Sequence, residues 1–241
     1  MYMSVYNTKI VLLFTFMIFF TGTEYLSAQA TIKDGEELLD QFKKAVLSGN
    51  TNIQQVVFVG DNTVYSERAP GGEVEMGTRK AYNFANQSRR TDFKSPVGTI
   101  TIYLEDNKAA KIVKGRKTPL RDHEEQQLRN GLYYHYLNVA LHGSNYSPEF
   151  TGTEELDGTT FYKLKFSIND APVVYLLHPD SFYPYYVRFK KYSESAGQQV
   201  EVTEHYYDWR EKNGIAVAFQ KETYEEGEIA GEFTYTSVSF N

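Results

Sequence analysis

The first regular pattern of apolar and polar positions in the chain lies at residues 34–49 and has the period of a helix. The recurring apolar positions are Leu38, Leu39, Phe42, Ala45 and Val46. Asp34 before this run is a typical N-cap acceptor, and Gly49 after it is a typical helix end. The pattern predicts a short amphipathic helix whose apolar face packs on another layer of structure.

From Ile53 onward, short alternating runs separated by turn residues replace the helical period, which predicts strands in series and an antiparallel meander. One run spans residues 100–104, where Ile100, Ile102 and Leu104 occupy every second position. Successive side chains of a strand point to opposite faces of the sheet. One face of this strand is therefore purely apolar, and it needs either a covering element or a ligand.

Several early strands are short in this interpretation. We expect separate strands at residues 56–59 and 64–67, with Asp61-Asn62 as the turn between them, and a further stretch from Thr78 to Phe93.

A second helix is predicted to begin at Thr118 as N-cap, with Pro119 in the first helical position, and to end at Gly143. Its apolar residues form two neighbouring rows, which are Leu128, Leu132, Tyr136 and Val139, and Tyr133, Leu137 and Leu141. So wide an apolar surface indicates that the helix is buried on more than one side.

The second half of the chain has the clearest strand pattern. After the Asp157-Gly158 turn, apolar side chains alternate with polar ones at Tyr162, Leu164, Phe166 and Ile168. Further strands are predicted at Val173–Leu177, Tyr185–Tyr192, Val200–Trp209, Ile215–Tyr224 and Gly231–Phe240. In all, about ten or eleven strands are expected, and an antiparallel sheet of that size has to curl or close to avoid long edges.

The N-terminal segment has the features of a secretory signal peptide. Lys9 precedes the apolar run Ile10–Phe20, and the small residues Ala28 and Ala30 follow. The run is about 11 residues long, whereas a membrane-spanning helix needs roughly 20. We predict that residues 1–28 are removed, with cleavage after Ala30 as an alternative, and that residues 29–241 form a single exported domain located in the periplasm.

Composition excludes several classes of function. The 241 residues include 31 Asp and Glu against 25 Lys and Arg, so the formal charge of −6 does not fit a nucleic-acid-binding protein. The chain contains no Cys, which excludes thiol nucleophiles, disulfides, thiolate metal sites and a lipid-modified N-terminal cysteine. With 41% hydrophobic residues, it has enough apolar surface for a packed core.

No catalytic, metal or cofactor motif is present in the sequence. It lacks the Gly-x-Ser-x-Gly element of many hydrolases and a phosphate-binding glycine loop, and the five histidines have no zinc-ligand spacing. We therefore predict no catalytic residue, no cofactor and no metal. A secreted hydrolase remains an alternative, because two carboxylates can converge in a cleft from distant positions.

Aromatic residues and one pair of arginines are the strongest candidates for binding. The chain has 20 Tyr and 16 Phe, which suit a cavity lining but are also common in strands of any function. Arg89 and Arg90 are adjacent in a predicted strand, so one of them points inward. Arg89 shares its face with Thr91 and Phe93, and we choose it as the inward residue. The alternative is that both are surface arginines at a sheet edge.

The order of elements resembles the LolA-like family of periplasmic lipoprotein carriers, above all in residues 150–241. The matching segments are the Asp157-Gly158 turn before Phe161–Leu164, Val173–Leu177 before His178–Pro184, and Tyr206–Trp209 before Asn213–Val217. Ala218 stands where the family often has a proline. The resemblance implies an unclosed antiparallel β-barrel, a strongly curled sheet covered by two or more helices, with a hydrophobic cavity for acyl chains. It also implies an inward arginine at Arg89 or Arg90.

The function implied by the resemblance is an exported, non-enzymatic carrier. It would bind acyl chains of lipoproteins or lipids, move them between the inner and outer membranes, and meet membrane-associated donor and acceptor proteins with only transient membrane contact. The residues predicted to line the hydrophobic cavity are Arg89, Phe93, Ile100, Ile102, Leu104, Tyr136, Leu164, Phe166, Tyr175 and Phe189. A lipocalin-like binder of small hydrophobic molecules is a further alternative, although Trp209, the single Trp, is far from the first strand, where lipocalins carry a Gly-x-Trp.

Overall fold

The computed structural model describes residues 32–66, 70–96, 98–194 and 196–241. The predicted signal peptide lies outside these residues. In the described part of the chain, three α-helices are formed, namely α1 (Gly35–Leu47), α2 (Asp122–Tyr133) and α3 (Tyr136–His142). Short 3₁₀ turns lie at Pro70–Gly72 and Gly143–Tyr146.

Thirteen strands of the described residues form one antiparallel sheet. They are β1 (Gln55–Tyr65), β2 (Glu73–Asn83), β3 (Ser88–Ser95), β4 (Gly98–Glu105), β5 (Lys108–Val113), β6 (Arg116–Pro119), β7 (Glu149–Leu156), β8 (Thr159–Ile168), β9 (Ala171–Leu177), β10 (Pro184–Ser193), β11 (Gln198–Lys212), β12 (Ile215–Glu225) and β13 (Glu228–Phe240).

The strand order shows why the sheet stays open. It runs β6-β5-β4-β3-β2-β1-β13-β12-β11-β10-β9-β8-β7, so two meanders are joined where the first strand pairs with the last. The two edges are β6 and β7, and the segment between these consecutive strands contains α2 and α3. This confirms the predicted fold class, an unclosed, curled antiparallel sheet covered by helices. The open sheet, with its two free edges, also differs from the closed barrel of a lipocalin.

The sheet curls around its helices. Helix α2 contacts β3, β4 and β5 of one meander and β10 of the other, while α1 contacts β7, β8, β12 and α3. The face of the sheet that meets the helices is called the inner face below. Two helices on one face leave the opposite face to solvent, as is usual for antiparallel sheets.

The prediction of α1 is confirmed in detail. The Asp34 side chain accepts a hydrogen bond from the backbone N–H of Glu37 at 2.9 Å, as an N-cap should. Leu38, Leu39, Phe42 and Val46 are completely buried. The apolar stripe that the sequence displays is therefore the packing face of the helix.

The prediction of a single second helix from Thr118 to Gly143 is wrong at its start and in its continuity, whereas its predicted end is confirmed, because Gly143 is the C-cap of α3. Thr118 pairs with Lys111 in the edge strand β6, and Pro119 ends that strand, where an edge tolerates a missing N–H. Helix α2 starts at Asp122, after the N–H of Arg121 donates to the Glu124 carboxylate at 2.8 Å.

The same segment is broken after α2. The backbone of His135 is extended, with φ −67° and ψ 129°, and its Nδ1 accepts from the N–H of Leu137 at 3.3 Å to begin α3. The Tyr175 hydroxyl donates to the carbonyl of Tyr134 at 2.6 Å. A partner from the sheet therefore satisfies the backbone where the helix is interrupted.

The predicted turn at Asp61-Asn62 is also wrong, because β1 runs through it. Asn62 is buried, and the pairing of β1 with β13 shifts by a bulge between Val59 and Gly60. A side chain at Gly60 would place its Cβ 2.0 Å from the Thr234 carbonyl oxygen, so only glycine fits this close approach.

The strand count exceeds the predicted ten or eleven for two reasons. The stretch from Thr78 to Phe93 contains parts of two strands, β2 and β3, joined by a turn at residues 84–87. The strand β5 and the edge strands β6 and β7 are short or polar, so they lack a clear apolar alternation.

Candidate ligand cavity

A cavity of about 700 Å³ lies between α2 and the inner face of the sheet. Strands β3, β4 and β5 form one wall, and β10, β11 and β12 contribute to the opposite wall. Its apolar lining residues are Phe93, Ile100, Ile102, Val113, Leu120, Leu128, Phe189 and Val202. Its polar lining residues are Arg89, Lys111, Glu124, Gln127, Asn130, Lys190, Lys191, Glu204 and Thr223, with Gly131 completing the wall.

Strand register explains why one wall is apolar. Phe93 lies opposite Ile100, and Ile100 lies opposite Val113, so three neighbouring strands place apolar side chains in one row. Exposure to solvent increases along this wall from Leu104, which is 2% exposed, to Val113, which is 38% exposed. The cavity therefore has a deep end near Arg89, which pairs with Leu104, and an open end near Val113.

The ten residues predicted to line a cavity fall into two groups. Arg89, Phe93, Ile100, Ile102 and Phe189 line the cavity under α2. The other five are core residues, each at most 2% exposed, and they are Leu104, Tyr136, Leu164, Phe166 and Tyr175. The second group belongs to the core that α1 and α3 share with the sheet, where helix side chains fill the inner face. The role of the first group in ligand binding stays a prediction.

Four apolar lining residues were missing from that prediction, namely Val113, Leu120, Leu128 and Val202. Val202 shares one face of β11 with the buried Val200 and Tyr206, and this period of two is the signal that could have identified it. Leu120 and Leu128 reach the cavity only because α2 crosses between the two meanders, which no local pattern reveals.

Arg89 and Arg90 have opposite environments. The guanidinium of Arg89 lies on the inner face, where Nη1 donates to the carbonyl of Leu128 on α2 at 3.4 Å and the group lies 5.1 Å from the ring centre of Tyr82. Arg90 is on the outer face, where its Nε donates to Asp92 at 3.0 Å. Arg89 is thus the residue that connects the sheet to the covering helix.

Gly131 of α2 lies directly over Arg89. A Cβ at this position would be 2.1 Å from Arg89 Nη1. We expect Gly131→Ala to displace the guanidinium and to lose its hydrogen bond to Leu128, which offsets the gain in helix propensity of up to about 1 kcal/mol. In an Arg89→Ala background the same substitution should stabilise the protein by about 0.5–1 kcal/mol.

Urea unfolding of the two single variants, the double variant and the unmodified protein measures this coupling. An equal effect of Gly131→Ala in both backgrounds would contradict the close contact between Arg89 and α2.

A largely buried ion pair, with the side chains of Lys221 and Glu204 13% and 17% exposed, lies at the cavity wall on β11 and β12. The Lys221 ammonium donates to Glu204, and the Tyr206 hydroxyl donates to the second carboxylate oxygen at 2.5 Å. Burial by itself raises the pKa of Glu204, but Lys221 and Tyr206 outweigh it and lower the pKa to about 2. Glu204 is therefore an ionised, fully paired carboxylate.

Lys80 is a buried lysine on the inner face of β2. It is 3% exposed, its Nζ lies 2.9 Å from the ring centre of Phe233, and it donates to the Tyr235 hydroxyl at 3.4 Å. Burial lowers the pKa of Lys80 well below its usual value, and the neighbouring charges of Lys221 and Arg89 lower it further. Aromatic faces and one hydroxyl are the main surroundings of this ammonium.

His135 lies at the break between α2 and α3 among aromatic rings. Its ring centre is 4.5 Å from that of Tyr82, 4.8 Å from Tyr136 and 5.6 Å from Phe58. Burial lowers the pKa of His135 to about 3. The imidazole is therefore neutral at physiological pH, with Nδ1 unprotonated as the cap of α3.

Two observations concern the described residues as a whole. No group of three or more His, Cys, Asp or Glu side chains within them could hold a metal ion. Their helices are all too short or too polar to cross a membrane.

Comparison with known proteins shows the fold. No protein-family model matches the sequence, and none of the curated proteins matches it. A LolA superfamily protein from Nitrosomonas europaea superposes with a TM-score of 0.58 at 16% identity, covering 87% of this chain and 94% of that one. A DUF1329 family protein from Desulfovibrio piger ATCC 29098 superposes with a TM-score of 0.59 at 10% identity, covering 86% of this chain and 92% of that one. The arrangement of an open, helix-covered antiparallel sheet in this chain is therefore a LolA-like fold.

Proposed function

We propose that this protein is an exported, non-enzymatic carrier that binds acyl chains of lipids or lipoproteins in the cavity under α2. The observation that carries the proposal is a cavity of about 700 Å³ with one continuous apolar wall inside a LolA-like fold. This volume is within the usual range of roughly 300–1,000 Å³ for small-ligand sites. Branched and aromatic walls of this kind favour hydrocarbon over water.

Helix α2 is suited to act as a movable cover. In α2 only Leu128 and Leu132 are buried. In α1 several large apolar side chains are buried, and they pack the helix firmly against the core. The hydrogen bond from Arg89 to Leu128 is 3.4 Å long, and other polar contacts of α2, such as Tyr133 to Gln87 and Arg129 to the carbonyl of Asn107, are made at exposed positions. The free energy needed to separate a helix from its sheet is lower when the helix has few buried contacts. Such an opening would admit an acyl chain to the cavity.

The location and the route belong to the same proposal. The apolar run and small residues of the N-terminal segment support export to the periplasm. We propose transfer between the inner and outer membranes, with membrane-associated donor and acceptor proteins and only transient contact with the membranes themselves.

A displacement assay tests binding in the cavity. A fluorescent fatty-acid analogue should bind the purified protein at micromolar concentration and be displaced by unlabelled lipid. Ile100→Trp fills the open end of the cavity and should weaken binding by about tenfold or more, because a bulky ring occupies the space of the ligand.

Thr99→Trp is the matched control, since the adjacent Thr99 is exposed on the outer face. It should leave the affinity unchanged. Absence of displaceable binding, or equal effects of the two tryptophans, would rule out the cavity as the binding site.

A further inference from the structure

The proposed carrier function leaves open which end groups the cargo has, and the charges on the inner face bear on this question. Arg89, Lys221 and the buried Lys80 are the basic side chains there, and Glu204 is the carboxylate among them. Both oxygens of Glu204 are already occupied, one by Lys221 and one by Tyr206. Glu204 and Lys221 therefore neutralise each other, and Arg89 and Lys80 are left with no carboxylate paired to them in the described residues.

Two hydrogen-bond donors on the inner face of β3 have no partner. Within the described residues, Arg89 Nε and Thr91 Oγ1 are buried atoms without a hydrogen bond. They are two residues apart on the same face of the strand, and Thr91 lies opposite Lys80 in β2. A buried donor without an acceptor is unfavourable in a native structure, and an accepting oxygen at this place would remove the penalty.

Of these groups Arg89 lines the deep end of the cavity, and buried Thr91 follows it on the same face of β3 without itself being a lining residue, whereas the apolar wall leads toward the open end. Arg89 lines the cavity beside buried Leu104, and Phe93 and Ile100 continue the lining toward exposed Val113. A ligand that satisfies both regions carries an anionic oxygen group at one end and a hydrocarbon chain at the other. A neutral hydrocarbon would leave the buried donors unsatisfied.

We propose that the cavity selects acidic amphiphiles, with a carboxylate or phosphate group bound inward against Arg89, on the side of Thr91, and the acyl chain along Phe93, Ile100 and Phe189. Guanidinium groups bind carboxylates and phosphates through two parallel hydrogen bonds. Arg89 uses Nη1 for the carbonyl of Leu128, and its Nε has no acceptor among the described residues, so this donor is available to a ligand. The inner-face charges thereby discriminate between ligands whose chains are identical.

The test compares dodecanoic acid with dodecanol, which share a chain of the same length, as competitors of the fluorescent analogue at about pH 8. The unmodified protein should prefer the acid by about ten- to a hundredfold, the range that one charge-assisted hydrogen bond supports. Arg89→Gln should abolish this preference while leaving the affinity for dodecanol within a few-fold. Arg90→Gln, on the outer face, should keep the preference.

Further measurements separate the possible explanations. Lys111→Gln removes a cation of the cavity lining that lies opposite Ile102 on the apolar wall, and it should keep the preference; a loss there would place the anion away from Arg89 and overturn the proposal. Inorganic phosphate alone should compete only weakly, and displacement as strong as by dodecanoic acid would show an ion site unrelated to cargo. Equal binding of acid and alcohol would refute the anionic selection but not the carrier function, whereas failure of both to bind would refute the carrier function itself.

Discussion

Replacing Glu204 with glutamine is expected to lower the free energy of unfolding by about 3–5 kcal/mol, the range found when one partner of a buried ion pair is removed. The substitution keeps the shape of the side chain but removes the charge that Lys221 contacts, and the side chain of Lys221 is only 13% exposed. Lys80 and Arg89 lie near enough to add to the unbalanced positive charge. Urea unfolding at neutral pH measures the effect.

Two controls make this result specific. Glu149→Gln removes a carboxylate that contacts Lys165 at 2.9 Å in an exposed pair, and the expected loss is below about 1 kcal/mol. Adding Lys221→Met to Glu204→Gln should recover much of the stability, because the uncompensated charge is then gone. A loss below about 1 kcal/mol for Glu204→Gln would show that water reaches this pair.

Acid should destabilise the protein through His135. Its pKa is lowered to about 3 in the folded protein, chiefly by burial, against an ordinary value of 6.5. Below pH 6.5, His135 is protonated in the unfolded chain but stays neutral in the folded protein. The free energy of unfolding therefore falls as the pH decreases from about 6.5 toward 3. From this group alone, we expect a loss of about 2.5 kcal/mol between pH 7 and about pH 4.5, using about 1.4 kcal/mol per pKa unit.

Unfolding of His135→Asn at both pH values checks this expectation. Asparagine keeps an acceptor at the start of α3 but does not titrate. The variant is expected to be less stable at pH 7, since it loses the ring contacts, yet its stability should depend less on pH by about 2.5 kcal/mol over the same interval.

Glu204 acts in a lower pH window, so the two groups can be separated. Its pKa is lowered to about 2 from 4.5, and its contribution is present above pH 4.5 and is lost as the pH falls toward 2. The same pH dependence in His135→Asn and the unmodified protein would mean that His135 is not the titrating group.

A role in shaping the proposed ligand cavity gives a reason for charged groups on the inner face. A buried ion pair adds little stability compared with apolar residues of similar size. The Glu204–Lys221 pair and the tyrosine hydroxyls around it instead hold fixed positions at the deep end of the cavity. Removal of Glu204 should therefore affect the shape of that end as well as stability.

The sequence by itself determined which residues share a face of a strand or helix. Alternation at residues 100–104 and at residues 162–168 predicted strands with one apolar side, and both are strands. The same period-two geometry separated Arg89 from Arg90, because adjacent side chains of a strand must point apart. Helix α1 was equally clear, since its cap and its apolar stripe are both local features.

Only the tertiary structure decided which apolar side chains face space and which face other side chains. Ile102 and Leu104 lie two residues apart on one face of β4, yet Ile102 lines the cavity and Leu104 is buried in the core. The difference comes from the position of the helices over the sheet, and that position depends on the break at His135, which is stabilised by Tyr175 from a distant strand. Likewise, Lys80 meets Phe233 and Tyr235 only because the first strand pairs with the last. Local periodicity carries no information about such contacts, since they join residues far apart in the chain.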